Sequence, residues 1–416
     1  MGVINFFSSF IFLSFGAVIM SILLYSTGVG LLWLPHTLSG YFVFDSLSFY
    51  LILLVLFLGV FSVMCLSSYM TGSTKLYLFL SLFFSGLCFC VNHAVLFWCF
   101  YELSMLPLLF LIFKDSPYSE RFIAGWYFMV YLLVTSLPLI LSLLYLSFSN
   151  ESFYFNDWGF INVPFGLYVL LSFIFFTKVP LSPFHTWLPI VHAEATSIVS
   201  IFLSGYIMKL GLLGVYRCAP FLFDSGFFSY LFFCCVLSIG FLVTASSELD
   251  GKRWLAFLSL SHIVVGFMVF YISQWDSVSL SFMFCLGHGL SAGLVFGSLW
   301  VMYDMTGTRN WLLVKEGVSG KSLMFFVVLS FLSLCSFPPT LQFFCEVNLL
   351  SESSFSYLFI VFWLFYLFLG GLVPLTLCGH VLIRVESAES VQFSSHVFYM
   401  YFSCLVLWCY LGVFIL

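Results

Sequence analysis

The stretch FTKVPLSPFHTWLPIVHAEA, residues 176 to 195, decides how this chain is read. It begins as an apolar, membrane-like run. Lys178, three prolines (Pro180, Pro183 and Pro189), His185, His192 and Glu194 then interrupt it within twenty positions. Pro180 and Pro183 lack backbone donors and clash with the preceding turn, so they break a helix. A broken helix at membrane depth is tolerated where it is buried in protein or lines a cavity. The question is why Lys178 stands beside such a break.

Composition makes membrane depth the relevant setting. The chain has 416 residues, of which 63% are hydrophobic and 7% charged, with a mean hydropathy of +1.16. Soluble domains carry roughly 25% charged residues. A chain this poor in charge cannot cover a surface in water, so an integral membrane protein is expected. The 58 phenylalanines supply apolar surface suited to lipid. The first apolar run, near residues 5–25, has no basic leader and no small-residue cleavage site, and reads as a retained span. The 13 cysteines are scattered and form no C-x-x-C. They read as small buried hydrophobes, and no metal or iron–sulfur site is implied. No G-x-G-x-x-G opens a helix, so no nucleotide or flavin fingerprint is present.

A spanning helix needs about 20 apolar residues. Such runs lie near 5–25, 46–68, 76–92, 94–113, 122–146, 165–193, 196–216, 227–246, 254–273, 277–303, 322–350, 355–383 and 395–415. They are continuous, which excludes the short alternating strands of a membrane barrel. The expected fold class is therefore an all-α polytopic membrane protein of about 13 transmembrane helices. Basic residues give its orientation. Loops on the N-terminal side hold Lys75, Lys114, Arg121, Lys252, Arg253, Arg309, Lys315, Lys321 and Arg384, whereas the opposite loops hold Arg217. The N-terminus is expected on the cytoplasm-like side and the C-terminus opposite.

Six ionisable residues remain inside spans, where a charge costs at least about 2.5–3.5 kcal/mol. Glu102 lies in LFWCFYELSMLPLLFLI and Lys178 in the broken sixth span. Lys209 lies in SGYIMKLGLLG, His262 in LSLSHIVVG and His288 in CLGHGLSAGLVFG. Glu346 follows a second break, Pro338-Pro339, in SFPPTLQFFCEVNLL. Each has a structural alternative: an inert Glu102–Lys178 ion pair, a snorkelling Lys209, histidines that only pack helices, a Glu346 reaching an interface. Taken together they form a line of titratable groups, which a proton relay requires. Two interrupted helices, each with an ionisable residue, suggest two related half-units of a transport fold. A haem-carrying subunit would need facing histidine pairs. His185 and His192 share one broken helix, and His262 and His288 are single in theirs.

At KVPLSPFHTWLPIVHAEA, IMKLG, LSLSHI, GHGLSAGLVF and FPPTLQFFCEVNLL, the sequence resembles the antiporter-like membrane subunits of respiratory complex I. The resemblance runs from about Leu96 to Glu346, and the later helix spacing fits to the end. It implies an antiporter-like fold of two inverted-repeat halves. Residues 1–92 would form N-terminal helices, 93–217 the first half, 218–383 the second, and 384–416 a C-terminal helix. Position by position, it implies that Glu102 pairs with Lys178, that Lys209 is the central lysine, that His262 and His288 bridge, and that Glu346 is the exit-side acid. The family usually has fourteen spans. The span absent here matches the first, which implies a shortened N-terminus on the matrix side.

The resemblance further implies proton transfer from matrix to intermembrane space across the mitochondrial inner membrane. That transfer is driven by NADH:ubiquinone oxidoreduction in other subunits. NADH, FMN, iron–sulfur clusters and ubiquinone would be handled there, with no cofactor on this chain. Expected partners are other complex I membrane subunits, above all neighbouring antiporter-like ones, and membrane lipids, with no nucleic acid. The alternative is a stand-alone monovalent cation/proton antiporter, because the family shares its channel core with bacterial antiporters.

Overall fold

The computed structural model describes residues 37–159, 163–223, 227–272, 278–315, 318, 321–383 and 396–415. The expected span at 5–25 and the basic marker Arg384 lie outside these residues. The described chain opens with a hairpin of β1 (Thr37–Ser39) and β2 (Phe42–Phe44), antiparallel with Leu38 opposite Val43. Helices follow: α1 (Ser46–Tyr69), α2 (Gly72–Cys90), α3 (Ala94–Asp115), α4 (Arg121–Ser149), α5 (Phe165–Lys178), α6 (Trp187–Glu194) and α7 (Ser197–Cys218). Then come α8 (Phe227–Ser247), α9 (Gly251–Ile272), α10 (Val278–Thr306), α11 (Lys321–Leu334), α12 (Leu341–Glu352), α13 (Tyr357–Leu382) and α14 (His396–Ile415).

Among the described residues, nine helices are long and apolar enough to cross a membrane: α1 to α4, α7 to α10, and α13. Shorter apolar helices begin at Phe165, Lys321 and Val397. The sixth and eleventh expected spans are each two helices rather than one. α5 stops at Lys178 and α6 starts at Trp187; α11 stops at Leu334 and α12 starts at Leu341. Single prolines do not have this effect. Pro107, Pro138 and Pro374 sit inside continuous α3, α4 and α13. One proline removes one amide donor and kinks the helix, whereas two close together remove enough of the ladder to end it.

The apolar face of each helix has no single direction, because lipid and protein interior are both apolar. Burial separates the centre from the rim. In α7 the whole 18-residue apolar window is buried, in α9 89% and in α10 83%, against 39% in α2, α3, α8 and α13. Glycines let the central backbones approach. A Cβ at Gly211 of α7 would stand 2.5 Å from Val179 Cγ2, and one at Gly214 would stand 2.5 Å from Phe175 Cε1. These two glycines seat α7 against the end of α5, and so against the first break.

The two ends of the bundle differ in charge. At one end Lys114 donates to Ser73, and Lys252 and Arg309 both lie over the Tyr118 ring. At the other, Arg217 closes α7 and bonds the Asp45 carboxylate at 2.6 Å, while Asp45 caps α1 through Ser48 N. The loop placement of the markers is corrected. Lys75, Lys114, Arg121, Arg217, Lys252, Arg253 and Lys321 lie in helix ends rather than loops, and Lys252, in the first turn of α9, is buried at 4% exposed.

Leucine at 211 should drive α7 off Val179, an overpacking cost of about 1–3 kcal/mol. A Cβ at Gly240 of α8 would meet none of the described residues within 4 Å, so that position serves as the control. Thermal unfolding of the purified assembly should show a lower melting temperature for Gly211→Leu and little change for Gly240→Leu. Equal melting of both variants would reject this packing.

Candidate functional site

The first break closes on its own polar groups. The α5 ladder ends with Val179 N–H donating to Phe175 O and Leu181 N–H to Phe176 O. Carbonyls left open by the end of the helix are taken up by side chains: Trp187 Nε1 donates to Thr177 O at 3.0 Å, and Tyr230 OH to Ser182 O at 2.7 Å. A buried carbonyl left alone would cost about 1–3 kcal/mol. The break is therefore a built feature with its own donors.

Lys178 is the last residue of α5, and its Nζ lies 3.2 Å from Glu102 Oε1 on α3. Their side chains are 3% and 11% exposed. Tyr101, fully buried, presents its ring centroid 4.1 Å from the same Nζ. Sequence reasoning paired Lys178 with Glu102 but missed Tyr101, whose only signal was its place beside Glu102.

Lys209 is 0% exposed and has no carboxylate partner among the described residues; its Nζ donates to Ser204 O at 2.5 Å. The partner is local. Residues Leu203–Ile207 form a π-helical turn inside α7, with Met208 N–H reaching back to Leu203 O. Widened turns of this kind loosen the i→i−4 ladder and recur at functional sites. His192, His262 and His288 all lie within electrostatic reach of the Lys209 ammonium.

His262 of α9 and His288 of α10 stack with ring centroids 5.0 Å apart and planes 11° from parallel. His262 Nδ1 lies 2.6 Å from Leu258 O, which suits a protonated Nδ1, whereas neither His288 nitrogen has a hydrogen-bond partner among the described residues. The histidines that are single in sequence thus form a pair in space, each on a different helix.

The second break positions Glu346 in the middle of α12, 3% exposed, rather than at a span's end. Gln342 Nε2 donates to Glu346 Oε1 at 3.1 Å and Tyr366 OH donates to the same oxygen at 3.4 Å. Ser291 of α10 donates to Gln342 Oε1 at 3.3 Å, and the Tyr366 ring lies edge-on to His262 at 5.8 Å. Glu346, Tyr366, Ser336 and His262 share one small cavity. Gln342 had a sequence signal, standing one turn before Glu346. Tyr366 had none, because α13 meets α12 only through the fold.

The HAEA end of the stretch has a different task. Helix C-termini leave carbonyls without amide partners. Here Arg309 donates to Ala193 O, Ser116 to Glu194 O, and Lys252 Nζ to Ala195 O at 2.7 Å. Arg309 also approaches Asp250 at 3.4 Å and Glu194 at 3.8 Å. Cations at a helix C-terminus complement its dipole. Among the described residues, no group of three or more His, Cys, Asp or Glu side chains is placed to hold a metal ion.

The chain is similar to known proteins. Relatives called NADH-ubiquinone oxidoreductase chain 4 include that of Locusta migratoria, 31% identical over 352 residues, covering 79% of this chain and 77% of the relative. That of Rhipicephalus sanguineus is 28% identical over 339 residues, covering 80% and 77%. A solved structure of respiratory complex I from Thermus thermophilus with bound NADH contains a chain of the same fold. It has a TM-score of 0.79 at 21% identity, covering 90% of this chain and 82% of that one. The profile of one family, described as NADH:quinone oxidoreductase/Mrp antiporter, TM, matches residues 91–373, which contain both breaks and Glu102, Lys178, Lys209, His262, His288 and Glu346. On that match the chain belongs to the transmembrane family of NADH:quinone oxidoreductases and Mrp antiporters.

Proposed function

We propose that this chain is a proton-translocating membrane-arm subunit of respiratory complex I in the mitochondrial inner membrane. It couples NADH:ubiquinone oxidoreduction, carried out in other subunits, to proton transfer from matrix to intermembrane space. The relatives' names support the setting, and the buried polar sequence Glu102–Lys178, Lys209, His262–His288, Glu346 carries the reading. In this function the chain crosses the membrane thirteen times, with residues 93–217 and 218–383 as inverted-repeat halves and the N-terminus in the matrix. It binds no cofactor of its own. Its partners are neighbouring antiporter-like subunits and lipid.

The chemistry follows from residue types. The Glu102–Lys178 pair holds two charges that stabilise one another. Opening the pair frees the ammonium to give its proton toward Lys209. The stacked histidines carry a proton between α9 and α10, because each imidazole ring has one nitrogen to accept and one to donate. Glu346, with Gln342 and Tyr366 donating to it, is the acid at the far end. The family also includes antiporters that move cations directly. Loss of function when the chain is purified away from redox subunits separates complex I membership from stand-alone antiport.

Three measurements test the reading. Lys209→Ala should abolish proton pumping while the complex still assembles. Lys209→Arg should impair it as well, because a guanidinium does not give up its proton; normal pumping by the arginine variant would reduce Lys209 to a fixed charge. Glu102→Gln keeps shape and removes charge. It should leave assembly largely intact and cut proton flux strongly. An inert ion pair predicts the reverse, since breaking one costs about 3–5 kcal/mol and assembly would fail first. For orientation, exposed Arg253 and Tyr41 lie at opposite ends of the bundle. A cysteine at 253 should react with an impermeant reagent from the matrix side and one at 41 from the intermembrane side; equal labelling of either from both faces would contradict the topology.

A further inference from the structure

Lys178 is held by two neighbours, and the relay uses one. Glu102 and Tyr101 are consecutive on α3, so their side chains leave the helix about 100° apart, given 3.6 residues per turn. They form two walls of one cradle. Glu102 Oε1 stands 3.2 Å from the Lys178 Nζ and the Tyr101 ring centroid 4.1 Å from it. Tyr101 is 0% exposed, and its hydroxyl has no hydrogen-bond partner among the described residues. The ring face is therefore the part of this residue that the site engages. A lysine ammonium within about 6 Å of an aromatic face is attracted by the ring quadrupole, more strongly when desolvated.

We propose that the Tyr101 ring face is a second, non-titrating seat for the Lys178 ammonium, a positioning surface that holds the cation as it parts from Glu102. This rests on the proposed relay and goes beyond it. An ammonium leaving a carboxylate inside a membrane protein loses its compensation at once. A π face compensates the charge yet accepts no proton, so it does not divert the proton from its forward path. Tyr101 thereby sets how readily the ion pair opens, and acts on transfer through Lys178 rather than by carrying a proton.

The test uses the whole assembled complex and reads protons moved per electron pair together with complex assembled per membrane. Tyr101→Phe keeps the face and removes the unpartnered hydroxyl; it should retain the native proton-to-electron ratio. Tyr101→Met keeps much of the volume and removes the face; it should assemble normally and lose at least half of that ratio. A native ratio in Tyr101→Met overturns the proposal, and so does a reduced ratio in Tyr101→Phe. Failure of Tyr101→Met to assemble beside normal assembly of Tyr101→Phe assigns the ring to packing alone and also overturns it. Lys178→Met separates the two levels. A native ratio there rejects the relay itself, whereas loss there with a native ratio in Tyr101→Met rejects only the seat.

Discussion

A charge persists in a membrane interior only where something beside it compensates the lost water, and for Lys178 that is Glu102. The rest of the architecture arranges this contact. α3 brings the carboxylate, α5 ends so that the lysine stands at its last turn, and α7 packs across the end through Gly211 and Gly214. A continuous sixth span would carry Lys178 on an ordinary helical face. The break gives it instead a helix terminus surrounded by donors and acceptors, with Trp187 and Tyr230 occupying the freed carbonyls. The ion pair and the broken helix are one feature seen at two scales.

The same logic repeats with different chemistry along the interior. Lys209 has no acid among the described residues, and a π-turn of its own helix supplies the Ser204 carbonyl. His262 has the Leu258 carbonyl and the His288 ring. Glu346 has an amide and a phenol. Each group is thus held by neutral or weakly polar partners, except at the first position, where a full counter-charge stands. In the proposed relay, one strong pair followed by several weakly held sites places the controlling step at the strong pair, where energy from elsewhere in an assembly has most to act on.

The far end of the broken helix shows how such a feature is kept in place. The carbonyls of Ala193, Glu194 and Ala195 are held by Arg309, Ser116 and Lys252, drawn from three separate parts of the chain. Two of these cations read in the sequence as loop charges reporting orientation. In the structure they sit at one end of the bundle and cap a helix whose other end carries the site. Charge placement for topology and charge placement for structure coincide here because a helix C-terminus attracts cations.

The sequence by itself determined the membrane setting, the helical class, the positions of both breaks and the identity of six of the buried ionisable residues. These are legible because each rests on local chemistry: apolar run length, missing amide donors at Pro180, Pro183, Pro338 and Pro339, and the cost of charge in an apolar run. It also paired Glu102 with Lys178, but through resemblance rather than spacing, since 76 positions separate them. Only the tertiary structure decided that His262 and His288 stack, that Tyr366 and Gln342 hold Glu346, that Lys252 is buried, and that Arg217 meets Asp45. In a bundle whose helices are apolar on every side, periodicity does not say which faces meet. Contacts between distant helices are chosen by packing, by small residues that let backbones approach, and by the need of each buried polar group for a partner, none of which is written at a fixed spacing in the chain.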